Sequence, residues 1–158
     1  MQIDIPATPS RFDAVPIGGF FARKTDFGLC VSVDGKSKAA IIFSMNGARL
    51  QLGGLPYEVL YYPEATAQAD LKSAVSRTEN ELPYGALVKS ANGSYYIQVS
   101  DGGPTGHYRT FNVVTGLQED LPSDAPAVSY GRWSVGLTRS ASTDFQALLD
   151  WDFSASSQ

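Results

Sequence analysis

Hydrophobic and polar side chains alternate one by one along most of this chain. Phe27, Leu29, Val31 and Val33 fall on one side of an extended segment, with Gly28, Cys30 and Ser32 on the other. Tyr95, Ile97 and Val99 repeat the pattern, as do Trp133, Val135 and Leu137, and then Phe145, Leu149, Trp151 and Phe153. Period-two alternation carried by aromatic and β-branched residues predicts half-buried strands. They are expected near 18–23, 27–33, 39–45, 48–52, 57–62, 85–90, 94–100, 107–114, 130–138 and 145–153.

Turn chemistry separates these runs: "VDGKS" at 33–37, "MNGA" at 45–48, "LGGLP" at 52–56, "ANGS" at 91–94 and "VTGL" at 114–117. Asn-Gly and Asp-Gly suit hairpin turns, because the positive φ they require is open to Gly and tolerable for Asn and Asp. Such short connections favour antiparallel meanders, since a parallel pair needs a crossover of about a dozen residues or more. The fold class is therefore all-β, a mainly antiparallel sandwich or small barrel.

One stretch departs from the pattern. "PEATAQADLKSAVSRTENE" at 63–81 has no glycine, and Ala67, Leu71, Ala74, Val75 and Thr78 recur at helical spacing. A short helix near 64–78 is expected, with Pro63 suited to its first turn and a weak, mostly alanine stripe. The segment 117–129 reads as an irregular, solvated loop and 154–158 as a frayed tail.

Two stretches also match without a gap: "PIGGFFARKTDFGLCVSVDG" from Pro16 and "PYGALVKSANGSYYIQVSDG" from Pro83. Pro, Gly, Asp and Gly coincide, but Ile97 and Val99 are out of phase by one with Leu29 and Val31, which would flip the faces. The chain thus reads as one compact β-rich domain over 1–158, with pseudo-repeated halves 12–62 and 82–153 joined by 63–81 as a further expectation.

Composition narrows the function. The net charge is −4, with 12 Lys and Arg against 16 Asp and Glu. Displacing counterions from nucleic acid needs clustered cations, and Arg23-Lys24 is the one adjacent pair, so no nucleic-acid partner is expected. The longest wholly apolar run, "AAIIF" at 39–43, is far too short to span a membrane, and "MQIDIPATPSRFD" has no signal-peptide character. A cytoplasmic location, or incorporation in an assembled particle, is the expectation. Cys30 stands alone, so no internal disulfide forms. Flanked by Leu29 and Val31, it reads as a small packed hydrophobe.

Candidate chemistry is sparse. "SDGGPTGHYRTFNVVTG" at 100–116 lacks the Lys-Ser/Thr of a phosphate loop and runs into a strand, so it reads as a turn. Ser100 with His107 is the nearest approach to a nucleophile and base, without a nucleophile-elbow motif. With one His, metal sites built on several imidazoles in one chain are excluded, and no cofactor is expected. Asp150 and Asp152 share one face of a strand, where paired carboxylates could serve hydrolysis or simply keep an edge charged. Glu79, Glu81, Glu119, Asp120 and Asp124 fall in loops and read as solvated.

The unusual feature is aromatic: eight Tyr, eight Phe and two Trp. In Tyr61-Tyr62 and Tyr95-Tyr96, one ring must leave the face its neighbour covers. Outward rings, with Tyr108 and Trp133, suit an interface or a ligand platform, unless a second layer covers them. The sequence therefore favours a non-catalytic assembly or recognition module, homo-oligomeric or part of a phage-like particle, with protein as its partner. A small-ligand binder, for example of carbohydrate, is the alternative. A hydrolase using Asp150 and Asp152, or Ser100 and His107, comes third.

Overall fold

The computed structural model describes residues 7–24, 26–44, 47–53, 55–77, 84–101, 108–121, 127–138 and 145–152. Strands dominate, as the alternation predicts. In chain order they are β1 (Thr8–Arg11), β2 (Phe20–Arg23), β3 (Asp26–Val33), β4 (Ser37–Ser44), β5 (Gly47–Gln51), β6 (Glu58–Tyr62) and β7 (Thr66–Ala69). They continue with β8 (Ala74–Arg77), β9 (Leu87–Lys89), β10 (Tyr95–Ser100), β11 (Tyr108–Asn112), β12 (Ala127–Tyr130), β13 (Arg132–Thr138) and β14 (Phe145–Asp152). Every strand expected from alternation forms, with ends displaced by no more than two residues.

The expected helix near 64–78 does not form. The helical pieces among the described residues are two 3-10 turns, Phe12–Ala14 and Leu71–Ser73. In place of the helix, β7 pairs with β13 from Thr66↔Gly136 to Ala69↔Trp133, and β8 pairs with β12 from Ala74↔Tyr130 to Arg77↔Ala127. An alanine stripe buries too little area to hold a helix on a sheet. As a strand, the same segment gains ladder hydrogen bonds while Ala67 and Ala69 still pack on the core, so tertiary context overrides propensity. β12 also forms inside the stretch read as a loop.

The large sheet runs β1-β6-β2-β3-β4-β5-β10-β9-β12-β8, with β11 on the other side of β10, and a small sheet runs β14-β13-β7. All named strand pairs are antiparallel except β5–β10, joined at Arg49↔Ser100. Gln118 bridges to Phe111 of β11, and Leu117 bridges in parallel to Ser32 of β3. These bridges close a ring: β3, β4, β5, β10, β11, the 117–118 segment, and β3 again. Sheet and barrel therefore coexist, the ring being the barrel-like part.

Two units of this ring follow one plan. Phe20, Leu29 and Ile41 lie side by side across β2, β3 and β4. Leu87, Ile97 and Phe111 do so across β9, β10 and β11. Both rows enter the same core. The one-residue phase difference is absorbed by the register: Arg23 faces Asp26 in the first unit and Lys89 faces Tyr95 in the second, so Ile97 lands opposite Leu87 as Leu29 lands opposite Phe20. Gly18 and Gly85 both have positive φ (91° and 84°) and donate to the carbonyls of Cys30 and Gln98 respectively. Each unit also hands its last segment to the other: β5 pairs in parallel with Ser100, and Leu117 with Ser32.

A second, smaller core covers the back of the first unit. Phe12, Val15, Phe21, Cys30, Ala40, Ile42, Leu55 and Val59 pack there. The Lys38 ammonium ties this layer down by donating to the carbonyls of Phe12 (3.4 Å), Asp13 (2.7 Å) and Val15.

Candidate functional site

The tyrosines divide between layers and surface. Tyr62 packs against the main core and Tyr61 against the smaller one, so both rings of that pair cover a core, one on each side of the sheet. Tyr96 is 3% exposed, and its hydroxyl donates to Glu119 Oε2 at 3.2 Å. Glu119, read from the sequence as solvated, is half-buried and accepts this bond. Trp133 is 2% exposed, meets Phe43 edge-on at 5.2 Å between centroids, and donates from Nε1 to the Gly85 carbonyl at 2.8 Å. As a platform Trp133 is corrected: a ring enclosed on its faces and bonded at its N–H is core. The same burial removes Tyr96 from the outward set. Tyr95 is half-buried, 6.5 Å from Tyr130, and Tyr108 is 47% exposed, 6.3 Å from Tyr84.

Asp150 and Asp152 do share a face, and both are exposed. They border a groove of about 380 Å³ of mixed polar and apolar lining, with Gln68, Ala69, Asp70, Arg132, Trp133 and Ser134. Asp70 comes from the misread segment; its carboxylate meets Arg132 Nε at 3.4 Å and accepts from the Lys72 N–H at 3.0 Å. Both carboxylates stand at the exposed border of this groove. Among the described residues no cluster of three or more His, Cys, Asp or Glu is placed to hold a metal ion.

Ser100 ends β10 opposite Tyr108, while His107 lies outside the described residues. Cys30 is fully buried, its S–H directed at the Val15 carbonyl at 3.6 Å. Burial pushes its thiol up to about 11, against the opposing pull of the Lys38 ammonium. The sequence places no cation beside it; the fold brings Lys38 across from β4, yet desolvation wins.

A second hollow, of about 290 Å³, was invisible in the sequence. It is lined by residues of both units, the matched Phe20 and Leu87 among them, with Tyr95, Val113, Ala65, Thr66 and Ala67. Alanines from the segment leading into β7 leave the space that larger side chains would fill.

No family model matches this chain, and neither a curated protein nor a solved structure matches it significantly. No helix among the described residues is long and apolar enough to cross a membrane.

Proposed function

We propose that the chain is a non-catalytic assembly module whose copies join along the outer edge of β8. The observation that carries this reading is a contrast between the two strands that are outermost in the large sheet among the described residues. β1 has Pro9, which offers no N–H to a neighbour, and it ends in the Arg11–Asp13 ion pair (3.5 Å). Such features blunt an edge. β8, Ala74-Val75-Ser76-Arg77, has no proline and one charge. Val75 is 44% exposed, and Leu71, in the 3-10 turn leading in, is 74% exposed.

An outermost strand flanked by apolar side chains is a template for another strand. A second copy suits it. Antiparallel pairing centred on the Val75–Ser76 peptide sets Arg77 opposite Ala74, so no like charges face each other. Light scattering coupled to size exclusion tests the reading. Wild type is expected to form dimers or larger species that dissociate on dilution. The Leu71→Lys/Val75→Lys variant is expected to be monomeric with an unchanged far-ultraviolet spectrum. A wild type that stays monomeric at its highest soluble concentration overturns the reading.

A further inference from the structure

We infer that the cleft between Phe20 and Leu87 binds a small neutral apolar molecule of one or two fused rings. This rests on the cleft alone and is independent of pairing through β8.

Size comes first. An apolar protein cavity of about 150 Å³ accepts benzene, so a cleft of about 290 Å³ has room for a two-ring molecule such as indole or naphthalene. Its shape has a cause in the sequence. Much of the core is filled by Phe, Leu, Ile, Val and Trp, with Ala39 and Ala48 among them, and the segment closing this cleft supplies Ala65 and Ala67.

Chemistry decides what kind of molecule. None of the lining side chains is charged. The hydroxyl-bearing side chains of the lining are Thr66 and Tyr95, and four backbone donors at the cleft are already engaged. Gly18 donates to the Cys30 carbonyl (2.8 Å), Ala65 to Tyr62 (3.3 Å) and Val113 to Tyr95 (3.0 Å). Val114 donates to Asn112 Oδ1 (2.9 Å), and Pro63 has no N–H. A sugar would surrender hydrogen bonds to water and regain few, which is unfavourable. A neutral ring gives up little and gains contact with Phe20, Leu87 and Tyr95. Val114, 78% exposed at the rim, extends the apolar surface outward. Ligand sites favour such junctions between packed units.

The test uses N-phenyl-1-naphthylamine, a neutral dye that brightens in apolar surroundings, titrated into the full chain. Saturable one-site binding is expected, displaced by indole and not by glucose. Ala67→Leu fills the cleft and should weaken binding by about tenfold or more while keeping a cooperative melt. The Leu71→Lys/Val75→Lys variant should bind as wild type does, which separates the cleft from the β8 edge. Should Ala67→Leu fail to fold, Val114→Asp, at an exposed rim position, is expected to show the same loss. Absence of saturable binding, wild-type affinity in the cleft variant, displacement by glucose, or loss only in the β8 variant would each overturn the inference.

Discussion

In the first unit Phe21, Gly28 and Ile42 line the outer side of β2, β3 and β4; at the matching places of the second stand Val88, Tyr96 and Asn112. Cys30 and Ala40 likewise give way to Gln98 and Thr110. The inner rows are apolar in both units and meet in one core. The outer rows differ because their covers differ. Over the first unit lies an oily layer from Phe12, Val15, Leu55 and Val59. The second meets a small apolar cluster of Val88 with Ala127 and Leu121, Glu119, which accepts from Tyr96, and the N–H groups of Val114 and Thr115, which donate to Asn112. A shared inner row can therefore hold a common frame while the outer face is adapted to whatever covers it. Bulk is exchanged too: Phe21 lies over Gly28, where an added Cβ would meet the Ile41 carbonyl at 2.9 Å, whereas small Val88 sits beside large Tyr96.

Breaking the shared row should cost most. Ile41 and Phe111 are fully buried at matching positions. Ile41→Ala is expected to lose about 2–5 kcal/mol and Phe111→Ala about 3–5 kcal/mol, measured by urea unfolding. The comparison predicts losses of similar size in the two units. A loss under about 1 kcal/mol at either site would mean that its unit does not rely on the common core.

The outer face should respond differently. Asn112 is 8% exposed, and its Oδ1 accepts from the N–H groups of Val114 (2.9 Å) and Thr115 (3.1 Å). Gly116 (φ 73°) follows, and its carbonyl accepts from Ser32, closing the ring. Asn112→Ala should lose about 1–3 kcal/mol by leaving those donors unpaired. Asn112→Ile, which installs the residue found at the matching Ile42, should not recover the loss. Recovery would show that the two outer faces are interchangeable and would dissolve the contrast.

Alternation made the strands legible, because a period of two is written directly into which side chains are oily. The stretches from Pro16 and Pro83 stand out by their coincident Pro and Gly and not by alternation, whose phase differs by one at Ile97; the pairing nonetheless sets Ile97 opposite Leu87 as Leu29 stands opposite Phe20. What stayed illegible lies in the segment 63–77. Its alanines satisfy helical and extended spacing equally, and only the partners β13 and β12 decide. Both hollows depend on that segment: Ala65 and Ala67 wall the apolar cleft, and Asp70 brings a third carboxylate to Asp150 and Asp152. Trp133 and Tyr96 failed as surface residues for a related reason: alternation shows that a ring leaves one face without showing that another layer waits on the other side.

The smallest effect isolates a single outer position. Cys30 occupies the place that Gln98 holds in the second unit, and it alone of the two can titrate. Its thiol is lifted from an ordinary 9.0 to about 11 by burial. The folded state therefore keeps a proton that the unfolded chain releases more easily. The resulting stability is fully present below pH 9 and disappears as pH rises toward 11, with about 1 kcal/mol lost by pH 10. Tyrosines and lysines also titrate in this range, so the measurement is the difference in slope between wild type and Cys30→Ala. The variant should be less stable at neutral pH, from the lost packing, and should decline less steeply above pH 9. Equal slopes would mean that the thiol meets water in the folded state, and that the oily cover over the first unit is not sealed at its centre.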